Sequence, residues 1–325
     1  MRDIHPISEP GTALQVDRIV AKLKHAPPRI TALLAALLLT GAVVAQPLGD
    51  QLRKRIGSFP GEVSLYAKNL DTGETIGVRD TEPVRTASTI KIAIMAALFD
   101  AVARGELNWN ERLTITDAEK VAGSGVIESE LSSGVQLPLV DVMHLMMVLS
   151  DNTATNMVLE RFPADRVNAY LDRIGLISTR ALRKIMGDKG PMGFSVAGQI
   201  EKNRKYGIGV STPRDMVMLM EHMERGDLVS PAAAHEMIAV MKRCQGPNGI
   251  RRRFGDVPVA NKTGALDALR SDVGIVYSKT GRIAMAITVD GIPQPDEGPD
   301  NPGSLMIADL AAMLVHGLAT RPAIQ

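Results

Sequence analysis

The stretch Thr86-Ala87-Ser88-Thr89-Ile90-Lys91 joins a short polar run to the apolar run 92–99. Helix-forming residues with an apolar face continue beyond it, so the sequence predicts a helix over 88–104. Residues three apart on a helix share a face, which would bring the Ser88 hydroxyl and the Lys91 amine together. A partly desolvated lysine can accept the proton of a serine, so this pair would make Ser88 a nucleophile.

The same pattern also has a simpler interpretation. S-x-x-K is expected about once by chance in a chain of this length. Taken alone, it more often describes a serine that caps a helix and a lysine on the helix surface. Other parts of the sequence must therefore decide between a catalytic pair and a helix cap followed by a surface lysine.

Length and composition favour a globular protein with a large core. The chain has 325 residues, 45% of them hydrophobic, and a net charge of +1. Its basic residues are dispersed, which argues against nucleic acid as a partner. The one dense basic run, 251–253, is expected on a solvated face. Cys244 is the single cysteine, so it cannot form an internal disulfide and is expected to be a buried small residue.

Residues 1–45 are interpreted as a secretory leader. Basic residues precede the apolar run 30–39, and small residues follow up to Ala45, after which cleavage would leave Gln46 first. The mature domain would then be 46–325, in the periplasm or secreted. An uncleaved anchor that faces the periplasm is the alternative, and it would be the only contact with a membrane.

Strands at both ends of the mature chain enclose a long helical middle. Strands are predicted at 62–69, 74–79, 257–263 or 259–266, 272–277 and 282–290, and helices at 48–56, 88–104, 138–149, 153–161, 164–174, 212–225, 231–243 and 304–319. This order indicates an α+β fold in which distant segments complete one antiparallel sheet. The sheet lobe would comprise 46–84 and 250–325, and the helical lobe 85–249. A site is expected in the groove between them.

Two further motifs carry polar groups to that groove. Ser150-Asp151-Asn152 lies between two predicted helices, where ordinary cap and turn residues would also be expected. Lys262-Thr263-Gly264 lies on a predicted strand, where its glycine would admit a substrate backbone and its other residues could bind a carboxylate. A second copy of the tripeptide, at 279–281, separates two apolar runs and is predicted to be an exposed hairpin turn.

The ordered set S-x-x-K, S-D-N and K-T-G resembles the active-site motifs of class A β-lactamases and the related penicillin-binding proteins. The likeness extends over the mature chain, including the loop 123–126 and Ser211-Thr212-Pro213. It implies a five-stranded antiparallel sheet flanked by helices, with an all-helical lobe beside it.

The resemblance also implies a role for each matching residue. Ser88 would be the acylated nucleophile, Lys91 the proton acceptor and Ser150 a proton shuttle. Asn152 would contact Lys91 and the substrate amide, and Lys262 and Thr263 would bind the substrate carboxylate. The backbone N–H groups of Ser88 and Ala265, which follows Gly264, would form the oxyanion hole. Arg270 is a candidate second ligand of the substrate carboxylate. Its offset from Lys262 along the sequence differs slightly from the family's, so a surface or structural role for this arginine fits the sequence nearly as well.

The chain departs from class A enzymes in the segment 176–210. That segment has no E-x-x-L-N motif, whose glutamate orients the water that releases the acyl group. Its acidic residues are Asp188 and Glu201. Glu201 is the candidate for the missing role, and an exposed carboxylate is the simpler interpretation. Deacylation is therefore the uncertain step.

The expected function is an exported serine hydrolase that opens β-lactam amides through an acyl-serine intermediate. One alternative is a D,D-peptidase, penicillin-binding protein or esterase that deacylates slowly and acts on peptidoglycan stem peptides. Another is a module that binds or senses β-lactams without turnover. The chemistry needs no metal or organic cofactor, and His235-Glu236 lacks the second histidine of a zinc H-E-x-x-H motif. A monomer is expected.

Overall fold

Strands from both ends of the chain form one antiparallel sheet, as predicted. The computed structural model describes residues 46–186, 190, 192–293 and 298–319, so the predicted leader and Asp188 lie outside the described residues. The strands are β1 Glu62–Asn69, β2 Thr75–Val78, β3 Val84–Arg85, β4 Arg112–Thr114, β5 Gln136–Pro138, β6 Arg180–Ala181, β7 Gly209–Ser211, β8 Val259–Leu266, β9 Leu269–Ser278 and β10 Gly281–Asp290. The main sheet has the order β2-β1-β10-β9-β8, which leaves β8 at one edge.

Helices fill the middle of the chain and cover the sheet. They are α1 Leu48–Gly57, α2 Lys91–Ala103, α3 Ile127–Glu130, α4 Leu139–Val148, α5 Asn152–Arg161, α6 Ala164–Arg173, α7 Val196–Gln199, α8 Pro213–Arg225, α9 Pro231–Lys242 and α10 Pro302–Gly317. Three 3₁₀ helices, at Ala87–Ile90, Glu201–Tyr206 and Gly249–Arg253, complete the regular structure of the described residues. None of the helices described is long and apolar enough to cross a membrane.

The sheet is buried on both faces because its strands alternate between two cores. On β10, Ile283, Met285 and Ile287 pack in the same core as residues of α1 and α10. Ala284 and Ala286 point the other way, into the core that contains α2, α4 and α8. Small residues on this second face let the helices approach closely. Burying an isoleucine side chain stabilises the fold by roughly 1.5–3 kcal/mol, so the alternation fixes the strand register.

The start of the serine-bearing segment differs from the prediction. A single helix was expected to open at Ser88, but a 3₁₀ turn begins at Ala87, and α2 begins at Lys91. Ala87 has a φ of 45°, in the left-handed region, so the chain enters the turn sharply after β3. A 3₁₀ helix has three residues per turn, so Ser88 and Lys91 still share one face. Ser88 is thus not the capping residue of α2.

Several local predictions are confirmed. Lys279-Thr280-Gly281 forms the turn between β9 and β10. Cys244 is buried, with 6% of its surface exposed. The run Arg251-Arg252-Arg253, predicted on a solvated face, differs: Arg251 and Arg252 are half-buried, and all three side chains bond to the protein itself. Arg252 Nη2 contacts Asp300, Arg253 contacts Asp309, and Arg251 donates to the Val259 carbonyl.

Candidate active site

The Ser88 segment lies directly against the edge strand β8. A β-carbon at position 264 would lie 3.0 Å from the Ser88 backbone nitrogen and 2.7 Å from the Thr86 carbonyl oxygen. Only glycine leaves room for this approach, which explains the glycine of the Lys-Thr-Gly motif. Ser88 is half-buried, and its side chain forms no hydrogen bond to other described residues. Its hydroxyl is therefore available to a substrate.

Lys91 is buried at the start of α2 and points to the junction of α4 and α5. Its Nζ donates to the Ser150 carbonyl at 2.8 Å and lies 3.2 Å from Ser150 Oγ and 3.3 Å from Asn152 Oδ1. Lys91 has no exposed surface. The S-x-x-K lysine is thus a buried residue, which contradicts the interpretation as a surface lysine.

The junction that carries Ser150 is held by the residue that follows it. Ser150 has a φ of 57°, and Asp151 caps α5 by accepting the Ala154 N–H at 2.8 Å. The other Asp151 oxygen accepts the N–H groups of Val126 and Ile127, at 2.7 and 2.9 Å. One buried carboxylate therefore fixes both the left-handed turn at Ser150 and the loop 123–126.

Lys262 reaches the same hydroxyl from β8. Its Nζ donates to Ser150 Oγ at 2.9 Å and to the Thr263 carbonyl at 3.0 Å. Lys262 is 1% exposed. The three sequence motifs, which are far apart along the chain, therefore meet at Ser150 and beside Ser88.

The electrostatics of this cluster favour a neutral amine at Lys91. Burial, together with the positive charge of Lys262, holds the pKa of Lys91 well below its usual 10.5, and Asp151 opposes the shift. Burial also lowers the pKa of Lys262. A buried amine that loses its charge near neutral pH can act as a base.

A cavity of about 610 Å³ lies beside this cluster, although Ser88, Lys91, Ser150 and Lys262 are not among the residues that line it. Its walls include Asn152 and Ser124 on one side and the β8 residues Thr263, Gly264 and Ala265 on the other. Ala265 is exposed on the edge strand, next to the glycine that contacts Ser88. Asn152, Thr263, Gly264 and Ala265, which were predicted to bind a substrate, therefore line a single crevice, whereas Lys262 does not line it.

Arg270 lies in this cavity, but its guanidinium is engaged. It pairs with Ala265 in the β8–β9 register and donates Nη1 to the carbonyls of Leu266 and Leu269, at 2.6 and 2.8 Å. These bonds brace the hairpin turn between the two strands. The structural role is thus evident, and the role of carboxylate ligand stays a prediction.

Glu201 is not brought into the cluster. It opens an exposed 3₁₀ helix, its side chain is 81% exposed, and it pairs with Arg204 at 2.8 Å. It does not line the cavity that Asn152 and Thr263 share. Glu201 was a candidate because it is one of two acidic residues in 176–210, and neither its exposure nor its ion pair suits a base that activates water.

Two further residues that shape the site were not foreseen. Asn156 follows Asn152 by one turn of α5, accepts the Ile185 N–H at 2.8 Å and donates to the Ile185 carbonyl at 3.2 Å. Asp272 is buried on β9 opposite Thr263. Each directly follows other polar residues, Thr155 and Ser271, so the sequence offered no signal that set it apart.

The sheet, its helical lobe and the cluster around Ser150 define a protein of the β-lactamase/transpeptidase-like fold. The chain belongs to the β-lactamase enzyme family, whose family model matches residues 47–318.

Relatives of known sequence or structure agree with this assignment. The chain is 26% identical to β-lactamase OXY-2 of Klebsiella oxytoca over 283 residues, which cover 86% of this chain and 91% of the relative. It superimposes on a β-lactamase from Sphaerobacter thermophilus with a TM-score of 0.71 and 25% identity, covering 83% of this chain and 96% of the other. It also matches a point mutant of PBP-A, solved as an acyl-enzyme complex with penicillin G, with a TM-score of 0.71, 27% identity and coverage of 83% and 95%.

Proposed function

We propose that the protein opens β-lactam amides by acylating Ser88. The observation that carries this proposal is the meeting of Lys91, Lys262 and Ser150 within hydrogen-bond distance, beside a serine that packs on Gly264. Family membership supports a function of the β-lactamase or penicillin-binding type.

In the proposed reaction, the Lys91 amine accepts the Ser88 proton while Ser88 Oγ attacks the lactam carbonyl. The Ser88 and Ala265 N–H groups stabilise the negative oxygen that develops. Ser150 Oγ passes a proton to the lactam nitrogen as the C–N bond breaks, leaving an ester on Ser88. Lys262 and Thr263 bind the substrate carboxylate, and Asn152 uses Nδ2 to hold the substrate side-chain amide.

The second half of the reaction distinguishes a hydrolase from a protein that stays acylated. Water must attack the ester, and class A enzymes orient that water with a glutamate. Asp151 directly follows Ser150 in the chain, but its oxygens already accept three backbone N–H groups. It is therefore not free to orient a water. With Glu201 exposed elsewhere, slow deacylation is favoured. The second candidate function is therefore a D,D-peptidase or penicillin-binding type of enzyme, which PBP-A also supports.

The test is to incubate the purified protein with a chromogenic cephalosporin and to follow absorbance and intact mass together. Turnover without a lasting adduct supports a β-lactamase. A persistent adduct that is lost in Ser88→Ala supports the penicillin-binding type. If neither signal appears and Ser88 stays unmodified, the lactam assignment is wrong.

Export and a monomeric state are also parts of this proposal. The composition of residues 1–45 supports a leader that is cleaved after Ala45. Expression in a bacterial host, followed by mass measurement of the exported protein, tests it. A chain that begins at Gln46 supports cleavage, and a full-length chain in the membrane fraction supports the anchor. Size-exclusion chromatography tests the monomer.

A further inference from the structure

The cavity beside the Ser150 cluster extends past the edge strand β8 to the face of the sheet that α10 covers. Its lining includes Thr263 of β8 and, from α10, Ser304 and Ile307. Gly264 faces the Ser88 segment, and successive side chains of a strand alternate between faces, so Thr263 points to the α10 side. We call this part of the cavity, lined by Thr263 and α10, its α10 end.

A carboxylate of the protein forms part of the wall at the α10 end. Asp272 pairs with Thr263 in the β8–β9 register, and both residues line the cavity. Paired residues of antiparallel strands point to the same face, with β-carbons about 4.5–5.5 Å apart. The proposed function places a substrate carboxylate at Thr263, so two carboxylates would lie side by side there.

The hydrogen bonds of Asp272 hold it as an acceptor. Its Oδ2 accepts the Ile250 N–H at 2.8 Å, and its Oδ1 accepts Asn261 Nδ2 at 2.9 Å. Arg251 fixes the orientation of Asn261 by donating to Asn261 Oδ1 at 3.0 Å. Both groups that donate to Asp272 are uncharged, so these bonds hold the carboxylate without cancelling its charge.

Asp272 is ionised in mildly basic solution. Burial raises its pKa to about 6, while its hydrogen bonds and the positive charges of Lys262 and Arg251 oppose that shift. Its side chain has no exposed surface, and a β-carbon on Gly249 would lie 2.6 Å from Oδ2. A ligand in the cavity therefore experiences the charge of Asp272 through a thin cover of backbone.

The other charged groups of the lining do not make the cavity a site for anions. Among the described residues that line it, Asp267 and Asp272 are carboxylates and Arg270 is the one cation. Arg270 donates Nη1 to the carbonyls of Leu266 and Leu269 in the hairpin turn. The lining therefore carries more negative than positive charge.

We infer that Asp272 is a specificity-determining residue that disfavours a carboxylate at Thr263. The α10 end of the cavity is then suited to a substrate whose group there is uncharged, such as an ester or a carboxamide. Asn248 and Ser304, which also line the cavity, offer uncharged polar groups for such a substituent. The inference rests on the proposed function, because that function places the substrate at Thr263.

The test compares a β-lactam carboxylate with its methyl ester. Dissociation constants are measured at about pH 8 in Ser88→Ala, which cannot be acylated at Ser88, with and without Asp272→Asn. In Ser88→Ala the ester is expected to bind at least as tightly as the carboxylate. Adding Asp272→Asn should strengthen binding of the carboxylate by about tenfold, the effect of removing a like charge about 6 Å away, and change binding of the ester by less than about twofold.

Asp309→Asn, in the same Ser88→Ala background, is the matched control. Asp309 lies on α10 outside the cavity and anchors the 3₁₀ helix 249–253 through Arg253. Its loss loosens the helix that covers Asp272 without changing the charge of the cavity wall, so binding of the carboxylate should not change. A folded Asp272→Asn variant that binds the carboxylate no more tightly overturns the inference, and so does an equal gain in Asp309→Asn.

A second measurement decides the inference even if Asp272→Asn does not fold. The carboxyl carbon of Asp272 is titrated by ¹³C NMR in Ser88→Ala, free and saturated with each ligand. Because the coupling between two sites is reciprocal, the bound carboxylate should raise the pKa of Asp272 by about one unit more than the bound ester does. Equal pKa values with the two ligands overturn the inference.

The outcomes also separate the inference from the proposed function. If both ligands acylate the wild-type protein at Ser88 but affect Asp272 alike, the inference alone fails. If neither ligand binds to Ser88→Ala or modifies the wild-type protein, the proposed function and the inference both fail.

Discussion

The Nζ atoms of Lys91 and Lys262 lie 3.2 Å and 2.9 Å from the same oxygen, Ser150 Oγ. A hydroxyl oxygen has two lone pairs, so Ser150 Oγ can accept from both amines while its own proton stays free for the leaving group. The lone pair of a neutral Lys91 is then left to accept the Ser88 proton. The arrangement then forms a path along which a proton taken from Ser88 can reach the leaving group.

Ser150→Ala is expected to slow acylation of Ser88 by about 10²- to 10⁴-fold, because the variant removes the hydroxyl that links the two amines. The second-order rate of adduct formation, followed by intact mass, measures the effect. Ser278→Ala, at the last residue of β9, is the control and should acylate at the wild-type rate. An unaffected rate in Ser150→Ala would exclude the shuttle.

The acylation rate is expected to fall as pH drops through the pKa of Lys91. The direction follows from its lowered pKa, since the neutral amine accepts the Ser88 proton and the ammonium cannot. The pH profile of adduct formation should therefore have an acidic limb. Lys91→Met should react more than about 100-fold more slowly throughout. A flat profile, or a Lys91→Met variant with full activity, contradicts the role of base.

The two Lys-Thr-Gly copies provide an internal comparison. Thr263→Ala removes a hydroxyl from the cavity wall and should weaken binding of a β-lactam carboxylate by about tenfold, the effect of one hydrogen bond to a charged group. Thr280→Ala, in the exposed turn between β9 and β10, should leave binding unchanged. Dissociation constants measured before acylation distinguish the two. Equal effects would mean that Thr263 does not contact the ligand.

The strands and helices could be predicted because their periodicity is strong. The bounds predicted for the first strand, 62–69, are those of β1; Ser150 and Asp151 lie between α4 and α5, and Asn152 is the first residue of α5. The short strands β3 to β7 were not predicted, because two- and three-residue strands carry too few residues for a periodic pattern.

The motifs of the candidate site could be predicted, but the groups that support them could not. Ser88, Lys91 and Lys262 belong to short motifs with a fixed order. Asp272 and Asn156 act through partners more than ten residues away, and only the fold shows those partners. Glu201 was predicted because it is one of two acidic residues in 176–210 and lies near the amide of Asn203, and the structure leaves it exposed beside Arg204.

Asp151→Ala is expected to lower the free energy of unfolding by about 3–4 kcal/mol. The variant leaves three backbone N–H groups, those of Val126, Ile127 and Ala154, without an acceptor. Urea unfolding followed by circular dichroism measures the change. Asp117→Ala removes an exposed carboxylate that bonds to Ser133, and it should change stability by less than about 0.5 kcal/mol. Similar values for the two variants would contradict the role of Asp151 as the anchor of the loop.

Ile185→Glu is expected to convert slow deacylation into faster turnover. Ile185 belongs to the segment 176–210, in which class A enzymes carry the glutamate that orients water. Its backbone is fixed by Asn156, which shares a face of α5 with Asn152, and Asn152 contacts Lys91. Ile185 is half-buried, so a carboxylate there would be partly shielded from bulk solvent.

The lifetime of the acyl-enzyme, measured by intact mass after removal of free β-lactam, should shorten by about tenfold or more in Ile185→Glu. Met186→Glu places the same charge on the next residue, which is 48% exposed, and should leave the lifetime unchanged. Acylation rates should stay within a few-fold in both variants, because Ser88, Lys91 and Ser150 are intact. An equal effect of the two substitutions would indicate a general influence of negative charge, and no effect of either would show that the ester at Ser88 is beyond the reach of residue 185.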